Sequence, residues 1–152
     1  MVNYGIKVFE IMNRRPVTIL PNSSISGAAK LMSEKDVGSL LVVKNKMLVG
    51  IITESDIISK VVASGKNSQV TKVSSIMSKN VITVSPNDDL YKVHFLMNKH
   101  NFRRLPVIED GKLVGMLTEK DLIKIEPSIL DVLSEKLKIS EPKFKLRYTV
   151  IK

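Results

Sequence analysis

Leu48-Val49-Gly50-Ile51-Ile52-Thr53-Glu54-Ser55-Asp56 returns 65 residues later as Leu113-Val114-Gly115-Met116-Leu117-Thr118-Glu119-Lys120-Asp121. Outward from that match, residues 7–58 lie over residues 72–123 without a gap, and 18 of the 52 positions are identical. Many of the others are conservative swaps, such as Val17 over Ile82, Ile19 over Val84 and Val43 over Ile108. The chain is a duplication. Each half is too small to bury its own apolar faces, so the two are expected to pack sheet against sheet about a pseudo-twofold axis.

Each half carries the same succession of local signals. A β-prone piece (Pro16–Leu20; Val81–Ser85) runs into Pro21-Asn22-Ser23-Ser24 or Pro86-Asn87-Asp88-Asp89, a turn and helix-start signal. The helix that follows has Ile25, Ala28, Ala29, Leu31 and Met32 on one stripe, matched by Leu90, Val93, Leu96 and Met97. Two apolar strands come next, Ser39–Val43 and Met47–Ile52, around Lys44-Asn45-Lys46. Their counterparts, Arg104–Ile108 and Lys112–Leu117, flank Glu109-Asp110-Gly111, and Asp-Gly is a strong hairpin signal. A closing helix spans Glu54–Ala63 or Glu119–Ile125. The predicted pattern is β-α-β-β-α, twice, in an α+β fold with packed sheets and helices outside. Gly50 and Gly115, late in their strands, mark points of close backbone approach.

This pattern resembles the cystathionine-β-synthase (CBS) domain in tandem, the arrangement called a Bateman module. The resemblance rests on Val49–Asp56, Val114–Asp121 and Phe102-Arg103-Arg104-Leu105-Pro106-Val107. It rests also on the two openings, Lys7-Val8-Phe9-Glu10-Ile11-Met12 and Lys72-Val73-Ser74-Ser75-Ile76-Met77. It divides the chain into a first repeat (4–65), a second (66–126) and a basic tail (127–152). It implies a regulatory sensor and not an enzyme: AMP, ADP or ATP bound in clefts between the repeats, a homodimer, and a regulated protein partner. S-adenosylmethionine or NAD serves some members in place of a nucleotide. The expected dimer contact is the apolar faces of the closing helices, with Ile57, Ile58, Val61 and Val62 on one and Leu122 and Ile123 on the other.

Thr53-Glu54-Ser55-Asp56 and Thr118-Glu119-Lys120-Asp121 are, on spacing alone, capping boxes that need no ligand. The resemblance adds a second role, with Asp56 and Asp121 accepting from a ribose diol and Thr53 and Thr118 facing sugar or phosphate. The arginines are the second constellation. The chain has five, four of them in the pairs Arg14-Arg15 and Arg103-Arg104, and the planar guanidinium suits phosphate. The first repeat departs from the family pattern, with Gly38-Ser39 in place of Arg103-Arg104 and Leu41 in place of Pro106. The full expected ligand set is Arg14, Pro16, Val17, Ser39, Thr53, Asp56, Ile82, Arg103, Arg104, Pro106, Thr118 and Asp121. If the loop opening one repeat approaches the Thr/Asp site of the other, all four arginines should border the Asp121 cleft. The Asp56 cleft would have Gly38, Ser39, Lys79 and Asn80 instead. A phosphorylated ligand would then fill the Asp121 cleft first.

Composition narrows the classes. Cysteine is absent, which excludes disulfides, thiolate metal sites and a cysteine nucleophile. No catalytic triad or paired-carboxylate site is present. His94 and His100, six apart on one helix, read as packing or surface residues, so neither catalytic nor metal ligands are expected. No apolar run approaches the ~20 residues of a membrane span and no signal peptide opens the chain, so the expected location is cytoplasmic. The net charge is +9, but residues 136–152 hold six basic residues and one acid, leaving +4 for the rest. That tail has the pattern of a short helix (Ile129, Val132, Leu133, Leu137) and a β-prone end. It leaves a nucleic-acid-associated protein as one alternative, weakened by an aromatic content of 5%. A ligand-free dimerisation module is another. Some archaeal CBS pairs continue into a cysteine-rich zinc ribbon here; this chain is expected to be cut short before such a module or to be a relative without one.

Overall fold

Local chemistry starts and stops the two long helices. In the computed structural model, which describes residues 5–125, Ser24 Oγ accepts from the Gly27 amide at 3.0 Å and caps α2 (Ile25–Lys35). Asp89 accepts from the Tyr91 amide at 2.9 Å and caps α4 (Leu90–His100). Ile25, Ala28 and Met32, and in register Leu90, Val93 and Met97, form the buried stripes. Both helices end on a left-handed residue, Asp36 (φ 52°) and Asn101 (φ 54°), types that tolerate this conformation. Those two ends aim the chain into the hairpins.

The hairpins are β2 (Ser39–Lys44) with β3 (Met47–Thr53), and β4 (Arg104–Glu109) with β5 (Lys112–Thr118). Their turns are one residue shorter than expected at the strand end, because Lys44 pairs with Met47 and Glu109 with Lys112. The remaining two residues, Asn45-Lys46 and Asp110-Gly111, all have positive φ, the type I′ geometry that matches strand twist. Both hairpins carry an irregularity at the same place, Val42/Val43 and Val107/Ile108.

The leading strands differ. β1 (Thr18–Ile19) pairs in parallel with β2, but its counterpart, expected at Val81–Ser85, is a single parallel bridge of Val84 to Val107. The cause is one residue. In the first repeat the Leu41 amide donates to the Val17 carbonyl at 3.2 Å. Pro106, at the equivalent place, has no N–H to offer Ile82, and the ladder stops.

Each repeat opens inside the other repeat's half. The helix α1 (Val8–Ile11) sits against the start of α4, with the Val8 amide donating to Asp88 and the Leu90 amide to Ile6. Symmetrically, the 3-10 turn Val73–Ser75 is held at the start of α2, where the Val73 amide donates to Ser23 and the Ile25 amide to Thr71. Val8 is therefore buried in the core of Leu90, Val93, Met97, Leu105, Val107 and Leu117, while Val73 and Ile76 belong to the core of Ile25, Met32, Leu40, Val42 and Ile52. Gly50 and Gly115 make the exchange possible. A Cβ on Gly50 would lie 2.7 Å from Met77 Sδ and 2.9 Å from the Ser78 carbonyl, and one on Gly115 would stand at the same distances from Met12 Sδ and the Asn13 carbonyl. β3 and β5 touch where the sheets meet.

The closing helices are α3 (Glu54–Ile57), which runs on as a π-turn over Ile58–Val62, and α5 (Glu119–Ile123). Among the described residues no helix is long and apolar enough to cross a membrane. The tail helix and strand expected after residue 126 lie outside the described residues.

Candidate functional site

Thr53 and Thr118 each end a strand and cap the closing helix behind it. Thr53 Oγ1 accepts from the Asp56 amide at 3.2 Å, and Asp56 Oδ2 accepts from the Thr53 amide at 3.0 Å and its hydroxyl at 2.9 Å. In the second repeat the Thr118–Asp121 distances are 3.3, 2.9 and 2.8 Å. The capping box is thus formed twice, and one oxygen of each carboxylate is spent on it.

The second oxygens differ. Asp56 Oδ1 is 2.8 Å from the Lys60 ammonium, which also donates to the Ile76 carbonyl at 3.1 Å. Burial alone would raise the Asp56 carboxyl, but hydrogen bonds from Lys60 and Thr53 outweigh it and hold the pKa below the usual carboxylate value. Asp121 Oδ1 lies 3.9 Å from Lys124. Position 125, the equivalent of Lys60, is isoleucine and packs on the second core.

Two clefts open beside these boxes, related by the pseudo-twofold. The larger, about 560 Å³, contains Thr53, Glu54 and Ser55, the loop residues Ser78, Asn80, Val81 and Ile82, and Asn101 to Leu105 from the end of α4 and the start of β4. The smaller, about 330 Å³, contains Thr118, Glu119 and Lys120 with Asp36 to Ser39, Arg103 and Arg104. Both are within the size range of small-molecule sites. Each cleft therefore takes a helix N-terminus from one repeat and a helix C-terminus and strand entrance from the other. His100 stacks on Phe102, ring centroids 5.4 Å apart, beside the larger cleft.

Arg103 and Arg104 line both clefts. This corrects the expectation that all four arginines border the Thr118 cleft alone: Arg14 and Arg15 line neither cleft, and Arg103 and Arg104, at the entrance of β4, stand with Gly38, at the entrance of β2, where the two clefts adjoin. Asn80 does line the Thr53 cleft, but Ser39 lines the Thr118 cleft, Gly38 lines both, and Lys79 lines a separate groove near Leu48 and Thr83. Arg104 is half-buried. Burial and the neighbouring Arg103 charge lower its pKa, while Glu54 acts in the opposite sense. Its Nη1 is buried with no hydrogen-bond partner among the described residues. Gly38 leaves this meeting place open, since a Cβ there would come within 3.2 Å of Glu54 Oε2 and 3.7 Å of Arg104 Nη2.

Of the other expected ligand residues, Ile82 lines the Thr53 cleft. Arg14 is exposed and donates to the Phe9 carbonyl at 3.2 Å. Pro16 is half-buried, Val17 packs on the first core, and Pro106 is buried opposite Met116 in the second hairpin. The aspartate side chains lie beside the clefts, turned back into their caps and only 15% and 18% exposed. Glu54, Asn101, Asp36 and Glu119 line the clefts without having been singled out in sequence. Asp36 and Asn101 carried a signal, since they are paired across the repeats at a helix end.

The fold, a duplicated α+β unit with a cleft on either side of a pseudo-axis, defines a two-repeat ligand-binding module. The CBS domain family model matches residues 8–63 and 73–128, and the chain belongs to that family as a tandem CBS, or Bateman, pair. An uncharacterized protein of Methanocaldococcus jannaschii is 38% identical over 133 residues, covering 86% of this chain and 71% of that protein. The CBS domain-containing protein YhcV of Bacillus subtilis is 36% identical over 115 residues, covering 76% and 81%. A CBS domain pair solved in complex with 5′-methylthioadenosine and S-adenosyl-L-methionine superposes with a TM-score of 0.73 at 32% identity, covering 82% and 98%. The class is that of regulatory ligand-binding modules.

Proposed function

We propose that this chain is a sensor of adenosine nucleotides of the AMP, ADP or ATP type. The ligand sits in the clefts beside Thr53 and Thr118 and acts through the geometry of a homodimer on a regulated partner, with no catalysis by the chain itself. The observation that carries the reading is that each cleft is lined by the threonine of a Thr-x-x-Asp cap, with its aspartate beside the cleft, and by the guanidiniums of Arg103 and Arg104. The carboxylate oxygens suit vicinal hydroxyls and the guanidiniums suit phosphate. The adenosine compounds held by the similar domain pair support the nucleoside half. Ile58, Val62 and Ile123 support the dimer, being 63%, 68% and 55% exposed on the closing helices.

Thermal unfolding with AMP, ADP, ATP, S-adenosylmethionine and NAD in parallel tests the proposal. At 100 times its dissociation constant a ligand adds about 2.7 kcal/mol. Stabilisation by at least one of the three nucleotides is expected. Stabilisation by S-adenosylmethionine or NAD alone would overturn the nucleotide assignment, and none by any of the five would overturn adenosine sensing.

A further inference from the structure

Arg103 and Arg104 are a single pair standing between two clefts. Their repeat-equivalents, Gly38 and Ser39, are uncharged. Leaving the pair aside, Glu54 is the one charged side chain lining the Thr53 cleft, and Asp36, Glu119 and Lys120 line the other, a net charge of −1 in each among the described residues. A phosphate monoester carries about −1.5 to −2 at neutral pH, so either cleft without the arginines repels it. With them, either attracts it. Two guanidinium charges balance one such phosphate and leave nothing over for a second.

Arg104 adds preorganisation. It is half-buried between the clefts, and its Nη1 is desolvated without a partner among the described residues. The cost of stripping that donor of water is therefore already met in the free protein, and a phosphate oxygen arriving from either side gains the bond without it.

We infer that the two clefts share one phosphate anchor, so that a nucleoside monophosphate held in one cleft weakens binding of a second in the other, while a nucleoside lacking the phosphate fills both clefts independently. This rests on the adenosine reading above and adds a coupling between sites, which acts equally in both directions.

Titration calorimetry with adenosine and with AMP separates the two ideas. Adenosine is expected to bind at two sites per chain with affinities within about threefold. AMP should show one tight site and a second weaker by about tenfold or more, the scale of one charge-assisted hydrogen bond. Giving the second repeat the residues of the first, Arg103→Gly with Arg104→Ser, should erase the tight AMP site and leave adenosine binding within about threefold. Arg103→Gln alone, at an exposed position, should weaken that site in the same sense if the double variant does not fold. Two equal, independent AMP sites in the unmodified chain would overturn the shared anchor while the adenosine reading stood. AMP binding unchanged in Arg103→Gln would overturn it too. Failure of both ligands to bind would overturn the shared anchor for a monophosphate, and the adenosine reading falls with it only if all five ligands of the thermal test also fail.

Discussion

Lys60 reaches across one helical turn to place its ammonium 2.8 Å from Asp56 Oδ1, and no described side chain does the same for Asp121, whose Oδ1 is 3.9 Å from Lys124. The two repeats thus differ at the carboxylates they share. Lys60 ties Asp56 to the Ile76 carbonyl, so the first capping box is also a bridge to the opening segment of the second repeat.

The Asp56 pKa is lowered in the folded chain, so its contribution to stability is complete above the ordinary carboxylate value of 3.8 and is lost as pH falls through the folded value. Lys60→Met should raise the Asp56 pKa measured by carboxyl NMR, because burial then acts against fewer hydrogen bonds. Lys60 is 44% exposed, so screening by water limits the loss of stability at neutral pH to about 1 kcal/mol or less. An Asp56 pKa unmoved by the substitution would show that the ion pair does not form in solution.

Gly50→Ala and Gly115→Ala should each destabilise the fold by about 1–3 kcal/mol, the range of overpacking. The new methyl would stand 2.7 Å from a methionine sulfur, which can swing away, and 2.9 Å from a carbonyl of the paired opening segment, which cannot move without disturbing the bridges Ile51–Ser78 and Asn13–Met116. Urea unfolding measures the cost. Retention of full stability would mean that the opening segments are not clamped as described.

How much of this was legible in the string depends on the range of the signal. The duplication is legible at its 65-residue offset, and the helix caps at Ser24, Asp89, Thr53 and Thr118 and the places of the hairpin turns, though not their lengths, are local signals readable from neighbouring residue types. Val8 and Val73 show where local reading ends. Each begins its own repeat in sequence yet is buried in the core of the other, and because the two cores are near copies, no residue nearby says which one receives it. The sharing of Arg103 and Arg104 was hidden for the same reason, since it depends on where the two clefts adjoin. Lys60 went unnoticed because its partner position holds Ile125, and the repeat comparison favours what the halves have in common.

The exposed pair Ile58 and Val62 should govern association. Their companions from the expected contact, Ile57, Val61 and Leu122, are instead drawn into the cores, Val61 completely. Ile58→Lys with Val62→Lys should therefore shift the chain toward monomer in sedimentation at micromolar concentration. Each substitution should change stability by no more than about 0.5 kcal/mol, as usual at surface positions. A chain that sediments as a monomer before substitution would remove the homodimer from the proposal.

Pro106 offers a test of the fold rule that separates the repeats. Val84 already donates to the Pro106 carbonyl at 3.0 Å and accepts from the Ile108 amide at 2.9 Å, so the parallel register is in place and lacks only the donor at 106. Pro106→Ala supplies that N–H opposite the Ile82 carbonyl, as Leu41 supplies one to Val17 in the first repeat. The gain of a backbone bond, about 0.5–1.5 kcal/mol, is opposed by the freer unfolded chain and by the lost contacts of a buried ring. Net stability should consequently move little or fall, while the local signature is unambiguous. Hydrogen exchange read by NMR should find the new amide at 106 protected nearly as well as the Leu41 amide. Rapid exchange at 106 in a folded variant would show that something other than the missing donor keeps the second leading strand from forming.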